Sequence, residues 1–167
     1  MVKRYVLLTL LLTVFIACGG RETPQQLWDN AKDLTEQEKY EEAMDLYQRV
    51  LALENTPDSL RAKTIFTMAD LHLNHFKRTS KALQTYQTVT EQYGTTNWGA
   101  KAQFMIGYVY ANHVNNYEKA KSEYQRFLEI YPTHELADAV RFEMKYMGKD
   151  LDEVDDLGFM QQTMESE

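Results

Sequence analysis

Residues 102–132 read AQFMIGYVYANHVNNYEKAKSEYQRFLEIYP, and this stretch decides the fold. Ala102, Met105, Ile106, Tyr110 and Val114 recur at helical spacing and give one packing face. Asn115-Asn116 interrupts the pattern, and a second stripe follows through Tyr117, Ala120, Tyr124, Phe127, Leu128 and Tyr131. Asn disfavours helix interiors and favours turns, so the spacing predicts two antiparallel helices joined by a tight turn. Gly107 and Ala120 are expected where the two backbones approach most closely, because small side chains permit it. Pro132 ends the second helix, since it has no N–H to extend the ladder. One hairpin cannot cover its own apolar faces, which implies copies elsewhere in the chain.

The copies are present. A shift of 38 residues lays Asn112-His113 on Asn74-His75, Ala120 on Ala82, Tyr124 on Tyr86 and Tyr131 on Tyr93. A further shift of 39 lays Ala82 on Ala43, Tyr86 on Tyr47 and Val89 on Val50. Helix pairs recurring at such a period indicate a solenoid. With a small residue in each first helix (Ala31, Ala69, Gly107), Tyr and Ala early in the second (Tyr40 and Ala43, Tyr117 and Ala120) and the terminal Pro132, residues 23–148 resemble the tetratricopeptide repeat. The resemblance implies an all-α, right-handed α-solenoid of about three hairpins plus a C-terminal capping helix. Ala31, Ala43, Ala69, Ala82, Gly107 and Ala120 become its repeat-packing positions. The period exceeds the ~34 residues usual for that repeat, and the surplus is expected in loops at 55–59 and 94–99. The second copy departs from the pattern at Thr79, where Tyr is expected, and at Gly94, which takes the place of Pro132.

The helices predicted in order cover 24–37, 39–53, 58–76, 80–93, 98–114, 117–131 and 134–147. Thr23, Pro24 and Gln26 form a capping-box signature for the first, and Thr133 is the expected cap of the last. Low Gly and Pro (7 and 3 of 167) and 44% hydrophobic residues agree with one mostly helical domain. A single cysteine excludes an internal disulfide framework.

Ahead of the repeats, Lys3-Arg4 and the apolar run 5–17 (YVLLTLLLTVFIA) form a segment too short to span a membrane comfortably and suited to a secretory signal. Its end, Phe15-Ile16-Ala17-Cys18-Gly19-Gly20, resembles the bacterial lipobox, with Phe15 in place of the more usual Leu. That resemblance implies cleavage after residue 17 and a lipidated Cys18, with residues 18–22 as the modified N-terminus and short linker. The alternative is an ordinary cleaved signal, or a plain membrane anchor, beside an incidental Cys18. The position of the only cysteine favours lipidation, and several acyl chains at about 0.8 kcal/mol per buried methylene make a stable anchor. Gly19 in place of Asp resembles lipoproteins sent to the outer membrane. At the other end, residues 149–167 form an acidic tail with seven acids and no base from Asp150 onward. It reads as either a short amphipathic helix on the cap or a solvated tail, and its composition favours the latter.

The formal charge is −7, and since Lys3 and Arg4 fall in the leader, the remainder carries 16 basic against 25 acidic residues, near −9. Nucleic acid is therefore not an expected partner, because its affinity rests on Lys and Arg neutralising phosphates. No phosphate-binding glycine loop, nucleophile elbow or HExxH motif occurs. Enzymatic activity, a cofactor, a metal and a small-molecule substrate are accordingly not expected. His72 and His75 stand three apart, within reach of a shared metal. However, His75 and His113 occupy equivalent positions near first-helix C-termini, where a His can serve as a cap.

One constellation rises above the scaffold. Trp28, Phe66 and Phe104 stand 38 residues apart, each three before the small residue of its first helix. The resemblance implies that first helices line a groove, making these three candidate anchors for a partner segment, flanked by Tyr108, Asn112 and Asn74. The competing reading is that this position wedges between hairpins as core, the commoner fate of apolar residues at helical spacing.

Leader, lipobox and repeats together resemble envelope lipoproteins of the BamD type, which help assemble outer-membrane barrels, and the YbgF-type periplasmic repeat proteins that act with the Tol–Pal system. The resemblance implies a lipid-anchored, periplasm-facing adaptor that binds protein partners in the cell envelope. The alternative is a structural, self-associating subunit of a larger envelope complex.

Overall fold

Thr23 opens the described fold as a capping box. Its hydroxyl accepts from Gln26 N (3.2 Å), Gln26 Oε1 accepts from Thr23 N (2.9 Å), and Pro24 takes the first helical position. The computed structural model describes residues 22–149, so the leader, Cys18 and the acidic tail lie outside it. Seven helices follow among the described residues: α1 (Pro24–Glu36), α2 (Tyr40–Ala52), α3 (Asp58–Asn74), α4 (Thr79–Tyr93), α5 (Asn97–Asn112), α6 (Tyr117–Ile130) and α7 (Ala137–Tyr146). None is long and apolar enough to cross a membrane. The pairs α1/α2, α3/α4 and α5/α6 are the three hairpins of a helical solenoid, and α7 packs on α6.

Each hairpin turns in the same way. The residue just before the N-cap of the second helix has a positive φ: Glu38 at 62°, Lys77 at 54° and Asn115 at 54°. Only at Asn115 does the residue suit this left-handed conformation. Asn116 then caps α6, its side chain accepting from Lys119 N at 3.0 Å.

Burial follows the repeat. Ala31, Ala43, Ala69, Ala82 and Ala120 are fully buried. Gly107 is buried too, and a Cβ built there would stand 2.5 Å from the Tyr124 ring. The close approach at Gly107 is therefore to an aromatic ring of α6. The large buried tyrosines Tyr47, Tyr86 and Tyr124 occupy equivalent places in α2, α4 and α6. Among the described residues the core consists of three successive clusters, one centred on each hairpin, with α5 contributing to the second and α7 to the third. Such nearest-neighbour packing is what a solenoid requires. Arg61 seals the first junction: its guanidinium donates to Leu51 O (2.8 Å), Leu53 O (2.6 Å) and Thr56 O (3.0 Å), satisfying carbonyls that the end of α2 leaves open.

Three expectations are corrected. Val114 is not on the packed face but 43% exposed, because α5 ends at Asn112. The connection at 94–99 is not a long loop. Thr96 accepts from Gly99 N (3.1 Å) and starts α5 at Asn97, so the surplus length lies in first helices of 17 and 16 residues. Thr133 does not cap the last helix, which begins three residues later than expected. His134 holds that turn out of the helix, its Nδ1 accepting from Leu136 N (3.1 Å) and its Nε2 bonded to Asn97 Oδ1 (2.7 Å).

Candidate functional site

The aromatic positions of the first helices all rest on the tyrosines of the second. Trp28 lies 6.0 Å from Tyr47, Phe66 5.4 Å from Tyr86 and Phe104 5.9 Å from Tyr124, between ring centroids. Trp28 is 7% exposed and belongs to the first core cluster, whereas Phe66 and Phe104 are half-buried. The series thus occupies the seam between core and surface.

The three do not share one surface. Trp28 and Phe66 line a cleft of about 410 Å³ between α1 and α3, together with Lys32, Thr35 and Glu36 of α1 and Lys63, Thr67 and Asp70 of α3. Trp98 of α5 closes one end, its ring 5.2 Å from Phe66, and the buried Tyr47 lies beneath. Phe104 stays outside, packed with Tyr108 (6.4 Å) and Tyr124 against the third cluster. Asn74 and Asn112 do not flank the cleft either. Both are exposed at helix C-termini, and Asn112 donates to Tyr108 O of its own helix at 3.1 Å.

Charge in the cleft is unevenly satisfied. Lys32 pairs with Glu36 at 2.5 Å, and Lys63 Nζ stands 3.4 Å over the centre of the Trp28 ring. Asp70 accepts a short hydrogen bond from the Tyr86 hydroxyl, and no cation among the described residues is paired with it. Burial raises its carboxyl from 3.8 to about 6, with the Tyr86 hydrogen bond pulling the other way. The Tyr86 hydroxyl is in turn pushed far up by burial and by the neighbouring carboxylate.

The histidines do not converge. His72 is buried, its ring 5.9 Å from Phe76, and its pKa is lowered by burial first and then by Lys81 and Arg78. His75 is exposed and stacks on Tyr40 at 3.8 Å. His75 and His113 are the C-cap residues of α3 and α5, and their backbone N–H groups donate to Leu71 O and Val109 O. Their rings lie against Tyr40 and Tyr108. Among the described residues no three His, Cys, Asp or Glu are placed to hold a metal ion.

Of the cleft residues only Trp28 and Phe66 were candidates from sequence, and Trp98, Asp70 and Lys63 are the most telling of those that were not. A signal existed for the first, since Leu60, Trp98 and Leu136 also stand 38 apart. Asp70 directly follows the small residue Ala69, as Lys32 follows Ala31 and Tyr108 follows Gly107.

Stacked antiparallel hairpins around a seam of aromatic residues define a helical-repeat scaffold with a recessed face. Residues 101–134, most of α5 and all of α6, match the family model of the tetratricopeptide repeat. The chain is a tetratricopeptide-containing protein, and repeats of this kind bind protein partners. No curated protein matches the chain at a significant level.

Proposed function

We propose that this protein is a lipid-anchored adaptor of the bacterial cell envelope that holds a protein partner on the face of its first helices. The observation that carries the binding role is the cleft between α1 and α3, where apolar rings and an uncompensated carboxylate meet on a tetratricopeptide scaffold. The envelope setting rests on sequence alone: the basic start, the 13-residue apolar run and the lone Cys18 at its end. Gly19 and the lipobox resemblance favour an outer-membrane anchor facing the periplasm, and the BamD and YbgF types serve as functional analogies. The role is binding, without catalysis or a cofactor.

Two measurements test this reading. Cys18→Ser abolishes incorporation of labelled fatty acid, and labelling that survives it sinks the lipid anchor. A pull-down from detergent-solubilised envelope recovers a distinct protein partner, whereas recovery of the chain alone sinks the adaptor. A second reading, a self-associating subunit, is favoured by Phe142 and Ile130, which are 47% and 51% exposed near the end of the solenoid. It predicts a concentration-dependent mass above that of the monomer in sedimentation.

A further inference from the structure

We infer that the cleft between α1 and α3 takes a basic, apolar segment of a protein partner: one bulky apolar side chain seats against Trp28, Phe66 and Trp98, and an adjacent Lys or Arg bonds Asp70. The inference rests on the adaptor reading and gives the partner its chemistry. Three features carry it.

The first is shape and composition. The walls are aromatic from three different helices, and a volume of about 410 Å³ falls within the range of roughly 300–1,000 Å³ in which proteins seat ligand groups. Aromatic anchors in recessed pockets are where binding energy concentrates.

The second is the charge inventory. Glu36 is matched by Lys32, and Lys63 lies on the Trp28 ring, which leaves Asp70 as the cleft carboxylate with no cation of its own among the described residues. Tyr86 engages its Oδ1 atom. Holding a half-buried carboxylate without a cation is unfavourable to the fold, and its raised pKa records that. An arriving cation relieves this and makes a charge-assisted hydrogen bond.

The third is the choice of sign. The formal charge of −7 steers basic segments toward the protein and repels acidic ones. Lys63 already occupies the Trp28 face, so an incoming cation is directed to Asp70 and not to that ring.

Trp28 and Trp98 are the only two tryptophans in the chain, and both line the cleft, so intrinsic fluorescence reads its occupancy directly. The probes are three synthetic 12-residue peptides without Trp, alike except for a central Phe-Arg, Phe-Glu or Ala-Arg pair, titrated at pH 7.5. The Phe-Arg peptide shifts the emission saturably, and the other two bind at least tenfold more weakly. Asp70→Asn weakens the Phe-Arg peptide at least fivefold while its thermal melt shows a folded protein. Should that variant fail to fold, the charge reversal within the peptides decides the matter without it. Equal binding of Phe-Glu and Phe-Arg, unchanged affinity in folded Asp70→Asn, or no saturable response to any peptide overturns the inference. A natural partner captured equally by wild type and Asp70→Asn would leave the adaptor reading standing and remove this one.

Discussion

Asp70→Asn is expected to make the protein more stable, although it removes a hydrogen-bonded, conspicuously placed side chain. Asn keeps an oxygen for the Tyr86 hydroxyl, so the hydrogen bond survives and only the charge is lost. In the folded state the carboxyl is raised from 3.8 to about 6. A carboxyl with a raised folded pKa binds its proton more tightly in the folded state than in the unfolded one. Its contribution to stability is therefore fully present below the unfolded value and is lost as pH rises through about 6. At about 1.4 kcal/mol per pH unit of separation, the ionised form disfavours folding by about 3 kcal/mol at most. At pH 5 the folded protein has recovered about 1 kcal/mol of this by taking up the proton. Urea melts at pH 8 and pH 5 read the difference directly. Asp70→Asn should exceed wild type clearly at pH 8, and its advantage should shrink by about 1 kcal/mol at pH 5. A variant less stable than wild type at pH 8, or a pH-independent difference, would refute the account of Asp70 as a carboxylate held at a cost for binding.

Three further substitutions probe the scaffold. Gly107→Ala should destabilise by about 1–3 kcal/mol through overpacking on the buried Tyr124 ring, even though Ala fills the equivalent places at Ala31 and Ala69; a thermal melt showing a gain would mean that Tyr124 moves freely. Lys77→Asn, which copies Asn115 into the second turn, should raise stability by a few tenths to about 1 kcal/mol, since Asn tolerates a φ of 54° better than Lys; an unchanged melting temperature would show the turn to be unstrained. Phe104→Ala should lower the melting temperature through its lost contact with Tyr124, at about 1–3 kcal/mol for a half-buried ring, yet leave Phe-Arg peptide binding unchanged, because Phe104 lies outside the cleft.

The scaffold was legible in sequence because its packing reduces to small residues facing large ones at a fixed period. Ala31 with Tyr47, Ala69 with Tyr86 and Gly107 with Tyr124 mark three hairpins in the sequence itself. The boundaries followed from local chemistry, and the errors were local as well. Thr133 resembled a cap until His134 proved to be tied to Asn97, a contact 37 residues away that no local pattern contains. The cleft was harder to read. Periodicity singled out Trp28, Phe66 and Phe104 as equals, but a binding surface breaks the symmetry of the repeats that build it. Asp70 is one of a kind: the same position holds Lys32 and Tyr108 in its neighbours, so no recurrence marks it. Only the folded chain shows that Trp98, a residue of the third hairpin, completes a cleft formed by the first two.

The central claim is that a partner is held on the first-helix face, and site-specific photo-crosslinking in living cells tests it most directly. A photoreactive residue replaces Thr67, which lines the cleft, or Gln48, exposed on α2 and away from it. The account predicts a discrete adduct with a second protein from position 67, lost when Asp70→Asn is added, and none from position 48. Adducts from 48 alone, or from 67 irrespective of Asp70, would contradict it.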